Sequence, residues 1–358
     1  MQTSISPQVH QNILLIVISF LAVMGCNRPR PPIAAQALPP ELATPMCGLT
    51  LVAPPEPFAQ NPMPAVTAVG ANWIAVVPYA YTLPAKPAVR YNEHGWQWWG
   101  EKPEGALATI ELAHQAGLKV MLKPQVYVPG GWTGTLDFET EEQWMAWEAG
   151  YSRYILDMAR MADAAGVELF CLGTEFRTAI AKRPEYWKSL IKAVRDVFPR
   201  GKIVYSANWD DWEQVPFWDE LDYIGLGAYF PLAEGDVPAV DSLLAAWAPL
   251  CKRLGDFSRK WHKPILFTEF GYLSVSGSGW KNWELEKNIQ NRAVNEQAQA
   301  HCYEALFRAC LKEPWWAGGF AWKWFPNGRG HEGYPERDYT PQGKLAESIL
   351  KNWYTNAR

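Results

Sequence analysis

Two carboxylates occur in the same setting at distant points of the chain. Glu175 closes the apolar run LFCLGTEF and Glu269 closes ILFTEF, each between a Thr and a Phe. An ionised carboxylate is expensive to bury without partners, so acids in such frames need a reason. One Glu alone reads most simply as an ion-pair partner at a strand end. Two facing one cavity can divide the work of breaking a bond. The acid whose surroundings raise its pKa gives a proton, and the other stays ionised and attacks carbon. Further polar and aromatic residues follow other apolar runs. Lys123 and Gln125 close KVMLKPQ, and either can hydrogen-bond a hydroxyl. Asn208 and Trp209 stand in SANWDDW with Trp212 behind them, Tyr229 ends DYIGLGAYF, and Trp322 and Trp324 lie in GGFAWKW. Trp and Tyr present an apolar plate with a polar edge, which suits the faces of sugar rings. Trp96, Trp98 and Trp99 crowd EHGWQWWGEKPEG, a loop that can wall a cleft or cap a barrel mouth.

These residues need a frame to hold them. Eight short apolar runs recur, at 48–53, 73–79, 119–125, 168–173, 202–207, 223–228, 264–268 and 318–322. They are nearly continuously apolar, as parallel strands covered on both faces are. Helical periodicity fills the gaps. Tyr151, Ile155, Met158, Ala162 and Ala165 share one face, with Gly166 as a stop, and Leu107, Ile110 and His114 lead to Gly117. Pro184 suits a first helical turn, and Leu190, Ile191, Val194 and Val197 follow on one stripe before Gly201. The fold class is α/β, and eight strand–helix units predict a (β/α)8 TIM barrel as a single domain over 47–358. Only DDWEQVPFWDEL separates the fifth and sixth runs, room for a helical turn and not for a long helix. A doubly wound open sheet is the alternative, but APPEPFAQ replaces any glycine-rich phosphate loop after the first run. A cofactor-dependent α/β enzyme would need that loop, and no cofactor is expected.

Composition narrows the partners. The chain of 358 residues is 48% hydrophobic and 20% charged, with a net charge of −4, which offers no basic surface for nucleic acid. Twenty tryptophans serve core packing and sugar stacking equally well until they are placed. Residues 1–26 read as a signal peptide, because the apolar run from Ile13 to Met24 is short for a bilayer span. LAVMGC resembles a bacterial lipoprotein processing box with Cys26 as the lipidated residue. A Pro-rich linker over 27–46 follows as an extended tether. The expected product is exported and lipid-anchored to a bacterial cell envelope, touching membrane through that anchor alone. Cys47, Cys171, Cys251, Cys302 and Cys310 remain, without metal spacing, as small buried hydrophobes or an unassignable disulfide. Asp210, Asp211 and Glu213 read as a solvated acidic loop, and no metal is expected.

The Glu175–Glu269 pair on the fourth and seventh runs, with Tyr229 on the sixth and Trp322 on the eighth, resembles the clan of retaining (β/α)8 glycoside hydrolases. GTEF, SANWDDW and FTEFGY look most like glycoside hydrolase family 113, the endo-β-1,4-mannanase type. The resemblance spans roughly 47–354. It implies Glu175 as acid/base, Glu269 as nucleophile, Tyr229 in contact with the nucleophile and Trp322 as the floor of the cleaved sugar's site. Most clan members carry Asn before the fourth-strand Glu, where it holds the sugar 2-hydroxyl; Thr174 stands there, with Asn208 as a candidate substitute. A retaining pair implies carboxyl groups roughly 5–5.5 Å apart. The function expected is hydrolysis of a β-1,4-linked hexose polysaccharide, a β-mannan, by double displacement in a monomer. Its competitors are a β-glucan hydrolase and a non-catalytic surface glycan-binding protein on the same scaffold.

Overall fold

The structure, a computed structural model, describes residues 44–328 and 334–357. The expected signal segment, the lipidated Cys26 and nearly all of the tether lie outside the described residues.

Among the described residues ten strands form. In chain order they are β1 (Met46–Leu51), β2 (Trp73–Val76), β3 (Tyr79–Tyr81), β4 (Lys119–Leu122), β5 (Gln125–Tyr127), β6 (Leu169–Thr174), β7 (Lys202–Ala207), β8 (Tyr223–Gly227), β9 (Ile265–Phe270) and β10 (Trp316–Trp324). All but β3 and β5 close into one parallel barrel, in the order β1-β10-β9-β8-β7-β6-β4-β2. The helices are α1 (Met63–Ala68), α2 (Pro103–Gln115), α3 (Glu141–Ala164), α4 (Arg177–Lys182), α5 (Pro184–Val197), α6 (Val240–Trp261), α7 (Asn282–Glu286), α8 (Glu296–Cys310) and α9 (Leu345–Asn356). The chain is thus a (β/α)8 barrel. Between β7 and β8 no α-helix forms. Two 3-10 turns, Trp212–Gln214 and Trp218–Glu220, bury Trp212, Phe217 and Trp218 against that stretch of wall. Burying such a ring removes about 150–250 Å² from water, roughly 4–6 kcal/mol each as an upper estimate.

Side-chain alternation sorts the core into two shells. Trp73 and Ala75 of β2 and Leu169 and Cys171 of β6 join Met46, Met121, Val204, Leu266 and Phe320 inside the barrel. Their neighbours Ile74, Val76, Phe170 and Leu172 face the helix layer. Strands covered on both sides carry no polar alternation, which is why the sequence runs look uniformly apolar. Gly117 (φ +74°) and Gly166 (φ +71°) end α2 and α3 in the left-handed conformation that glycine adopts without strain. The helix read from Tyr151 begins ten residues earlier, where Thr140 and Gln143 form a reciprocal capping box.

Two expected strands are interrupted, and proline is the cause. β2 and β4 pair from Trp73 with Lys119 to Val76 with Leu122. β3 and β5 resume at the same offset, from Tyr79 with Gln125 to Tyr81 with Tyr127. Pro78 and Pro124 face each other in the gap, and neither has an N–H to give the ladder. The runs 73–79 and 119–125 therefore each divide, and their ends form a two-stranded extension beyond the barrel.

Candidate active site

The strands that carry the two carboxylates each hold one residue too many. On β9, Phe267 pairs with Leu226 and Glu269 with Gly227, so two steps of β9 meet one step of β8. Against β10 the same place shows three steps meeting two. Phe267 and Phe270 both face the helix layer, and the two residues between them both turn inward. Thr268 joins Ser206 of β7 (Oγ1 to Oγ, 2.6 Å), and Glu269 enters the barrel mouth. β6 has the same surplus, with Cys171 to Thr174 spanning Val204 to Ser206 of β7. A β-bulge re-aims the residues that follow it, and here it delivers Glu175.

Glu269 is nearly buried, and its charge is compensated. Its Oε1 accepts hydrogen bonds from the Lys123 ammonium and from Gln125 Nε2 at 2.9 Å. Its Oε2 accepts from the Tyr229 hydroxyl at 3.0 Å. Lys123 is fully buried, so its cation is committed to this carboxylate. Lys123, expected to meet a sugar hydroxyl, therefore serves the nucleophile candidate instead. Burial, and then the Glu269 charge, push the Tyr229 hydroxyl far above its ordinary range, which keeps it a proton-bearing donor.

Glu175 sits in a left-handed backbone conformation (φ +58°), a geometry that costs roughly 1–3 kcal/mol in a non-glycine residue. Local bonds hold it there. Its N–H donates to Ser206 O (2.8 Å), and the next N–H, of Phe176, donates to the Tyr205 hydroxyl (2.7 Å). The side chain meets Trp132, whose Nε1 donates to Oε2 at 2.6 Å. Burial and then the Glu269 charge raise the Glu175 pKa to about 7, opposed by the Trp132 bond and by Lys123. The two acids thus share one electrostatic field. Gly227 of β8 lies beside both Glu175 and Tyr229: a Cβ there would lie 3.5 Å from Glu175 Oε1 and 3.5 Å from the Tyr229 ring, in ordinary contact with each.

The other sequence candidates divide. Trp322 is partly buried at the end of β10 beside Tyr229 and Tyr339, and its peptide bond to Lys323 is cis. Trp209 is partly exposed and stacks on Trp283 of α7 (5.2 Å, 23°). Asn208 spends its carbonyl oxygen on the Trp209 N–H (2.8 Å), so its amide NH2 is what it can offer a ligand. Thr174 Oγ1 is buried and cannot replace an Asn side chain in the cleft. Trp324, expected to line the sugar site, is 3% exposed and packs into the core around the barrel, and Trp212 is likewise core. Arg177 pairs with Asp210 and Asp211, and Arg253 with Glu213, so the acidic loop is an ion-pair network. Cys171, Cys302 and Cys310 are free thiols and buried, Cys251 is a free thiol and partly buried, and Cys47 is buried. Trp132 was missed, since nothing in GGWTGT marks its ring as a carboxylate partner.

A crevice with one acid held protonated near neutrality and another held against a buried cation is equipped for acid-assisted displacement at carbon. Comparison with known proteins gives the same direction. The chain is similar to the GH113 β-mannanase AaManA from Alicyclobacillus acidocaldarius, solved in complex with ManMIm, at 29% identity and TM-score 0.75 over 88% of this chain and 98% of that one. A GH113 β-1,4-mannanase complex at 24% identity (TM-score 0.73, 87% and 99% covered) and a Glycoside Hydrolase Family 5 mannosidase from Rhizomucor miehei at 11% (TM-score 0.61, 88% and 93% covered) share its fold. No curated protein matches the chain. The sequence profile of Glycoside Hydrolase Family 113 matches residues 55–344, and the chain belongs to that family.

Proposed function

We propose that this chain is a retaining β-1,4-mannanase in which Glu269 is the nucleophile and Glu175 the acid/base. Family membership makes it a glycoside hydrolase. The observation that carries the residue assignment is the contrast between the two acids: Glu175 titrates at about 7, while Glu269 is bound by the Lys123 cation. The mannan substrate is supported by the likeness to the Alicyclobacillus β-mannanase.

The geometry supports a two-step displacement. Lys123 and Gln125 occupy Oε1 of Glu269, which leaves Oε2, held by Tyr229, as the oxygen that bonds to the anomeric carbon. As that bond forms, the glycosidic C–O bond breaks and Glu175 gives its proton to the departing oxygen. Glu175, now ionised, takes a proton from water; the water oxygen bonds to the same carbon and Glu269 leaves. The configuration is inverted twice and so retained. Trp322 is the floor under the reacting ring. Trp209, with Trp283, and the Asn208 amide flank the leaving-group side, next to Glu175.

The test is Glu269→Ala, assayed on mannan, glucomannan and cello-oligosaccharides. A loss of several powers of ten is expected, because the covalent route disappears. Undiminished turnover would remove Glu269 from the mechanism. Wild-type cleavage of cello-oligosaccharides in preference to manno-oligosaccharides would overturn the substrate assignment alone.

A further inference from the structure

Two thiols outside the active site meet across two helices. Cys251 lies within α6, and Cys310 is the last residue of α8. The Cys310 thiol is hydrogen-bonded to the Cys251 sulfur. Cys251 Sγ in turn donates to the carbonyl oxygen of Ala309, the residue before Cys310, at 3.7 Å. Side chains that point at one another meet the first demand of disulfide geometry. Other cysteines are engaged elsewhere: Cys171 donates to Gly173 O inside the barrel (3.3 Å), and the Cys302 thiol bonds with Ser278.

The pair is reachable from solvent. A cavity of about 440 Å³ opens at Cys251, lined by Gly255 and Arg259 of α6 and by Ala309 and Trp315. Trp315 directly precedes β10, so this cavity lies in the helix layer near the barrel floor, away from the mouth that holds Glu175 and Glu269. Cys251 is partly exposed and Cys310 is buried, and the two thiols differ in character. The hydrogen bond from Cys310 lowers the Cys251 pKa against the effect of burial, while burial raises the Cys310 pKa. The thiolate is the attacking form, so Cys251 is the sulfur that meets a reagent and Cys310 the one that follows. The place also suits a clamp. Pro249 stands inside α6 two residues before Cys251 and removes a helical hydrogen bond there, so α6 is weakest where the pair would tie it to α8.

We propose that Cys251 and Cys310 are a redox modification site, which a disulfide-bearing oxidant converts to a bond clamping α6 to α8. The Cys251 thiolate attacks one sulfur of the oxidant, whose S–S bond breaks; the departing thiolate takes up a proton. Cys310 then loses its proton and its sulfur attacks Cys251, releasing the second half of the oxidant as a thiol. Two protein thiols are oxidised and one external disulfide is reduced to two thiols. Such bonds persist in the oxidising compartments outside the bacterial cytoplasm, where the apolar segment before Cys26 would direct the chain. The inference does not depend on the glycosidase reading.

The test treats the purified full chain with glutathione disulfide or with dithiothreitol, blocks remaining thiols with iodoacetamide after unfolding, and maps the peptides by mass spectrometry. The oxidised sample should contain the Cys251 peptide joined to the Cys310 peptide with the loss of two hydrogens, and the reduced sample should not. Both thiols alkylated in the oxidised sample, a glutathione adduct that stays on Cys251, or a link from either residue to another cysteine would each overturn the proposal. The second readout is Tm. A bond closing a loop of about 60 residues should raise Tm by roughly 4–10 °C on oxidation. Cys251→Ser, at a partly exposed position, and Cys310→Ala should each abolish that difference between oxidised and reduced samples. A cross-link that leaves Tm within about 1 °C of the reduced chain would overturn the clamp. An equal oxidative shift in the variants would overturn the assignment of the pair.

Discussion

Replacing Trp132 with Phe should move the alkaline limb of activity and leave the acidic limb in place. The indole Nε1 donates to Glu175 Oε2 at 2.6 Å, and this bond opposes the burial and Glu269 charge that raise the Glu175 pKa to about 7. A hydrogen bond to a charged group contributes about 1.5–3 kcal/mol, and 1.36 kcal/mol is one pKa unit. Trp132 also touches the protonated acid, so the lower end applies, and the Glu175 pKa should rise by about one unit. Phe keeps an aromatic face under Arg177, whose guanidinium lies 4.9 Å from the Trp132 ring, so the ion-pair network beside it stays in place. The sign is unambiguous. A general acid must be protonated to work, so a higher pKa extends activity to higher pH. The assay is kcat/KM from about pH 4 to pH 10 on a manno-oligosaccharide, where the profile reports groups of the free enzyme. The alkaline midpoint should move from about 7 to about 8. A midpoint that stays, or moves down, would refute both the role of Trp132 and the assignment of Glu175 to that limb.

Three further outcomes follow from the same site. Lys123→Met leaves Glu269 with only neutral donors; about 3 kcal/mol of lost support corresponds to roughly a hundredfold fall in kcat/KM, and unchanged kinetics would show that the cation is dispensable. Glu175→Gln should raise Tm more at pH 8 than at pH 5. The native pKa of about 7 exceeds the ordinary 4.5, so ionising Glu175 lowers stability as pH rises through 4.5–7, by at most about 3 kcal/mol, and Gln cannot ionise; a pH-independent Tm difference would contradict this. In a bacterial host given labelled fatty acid, wild type should incorporate label and partition with membranes, and Cys26→Ser should do neither; label persisting in the Ser variant would place the anchor elsewhere.

The barrel was legible because double burial leaves an unmistakable trace. Runs such as ILF and LFCL are apolar at every position only if both faces are covered. The two acids were legible because they break those runs. The roles of their neighbours were not. Lys123 and Trp324 both follow apolar runs, yet one is fixed under a carboxylate and the other is buried in the core. Sequence gives the order of side chains along a strand but not the point at which alternation slips. Contacts between distant segments, such as Trp132 with Glu175, 43 residues apart, have no local signature at all. Pro78 and Pro124 were visible as residues, but their meaning lies in being opposite one another across a strand pair.

The surplus residues on β6 and β9 have a consequence that no exchange of one amino acid for another would expose. Which way a strand residue points depends on whether its count from the barrel floor is odd or even. Excising Thr268 would restore ordinary alternation to β9, with Glu269 alone facing inward between Phe267 and Phe270. The shortened chain would keep every acid, cation and aromatic ring, but Glu269 would take the inward place beside Ser206 that Thr268 now holds, one strand step of about 3.3 Å away from the Lys123, Gln125 and Tyr229 groups that bind it.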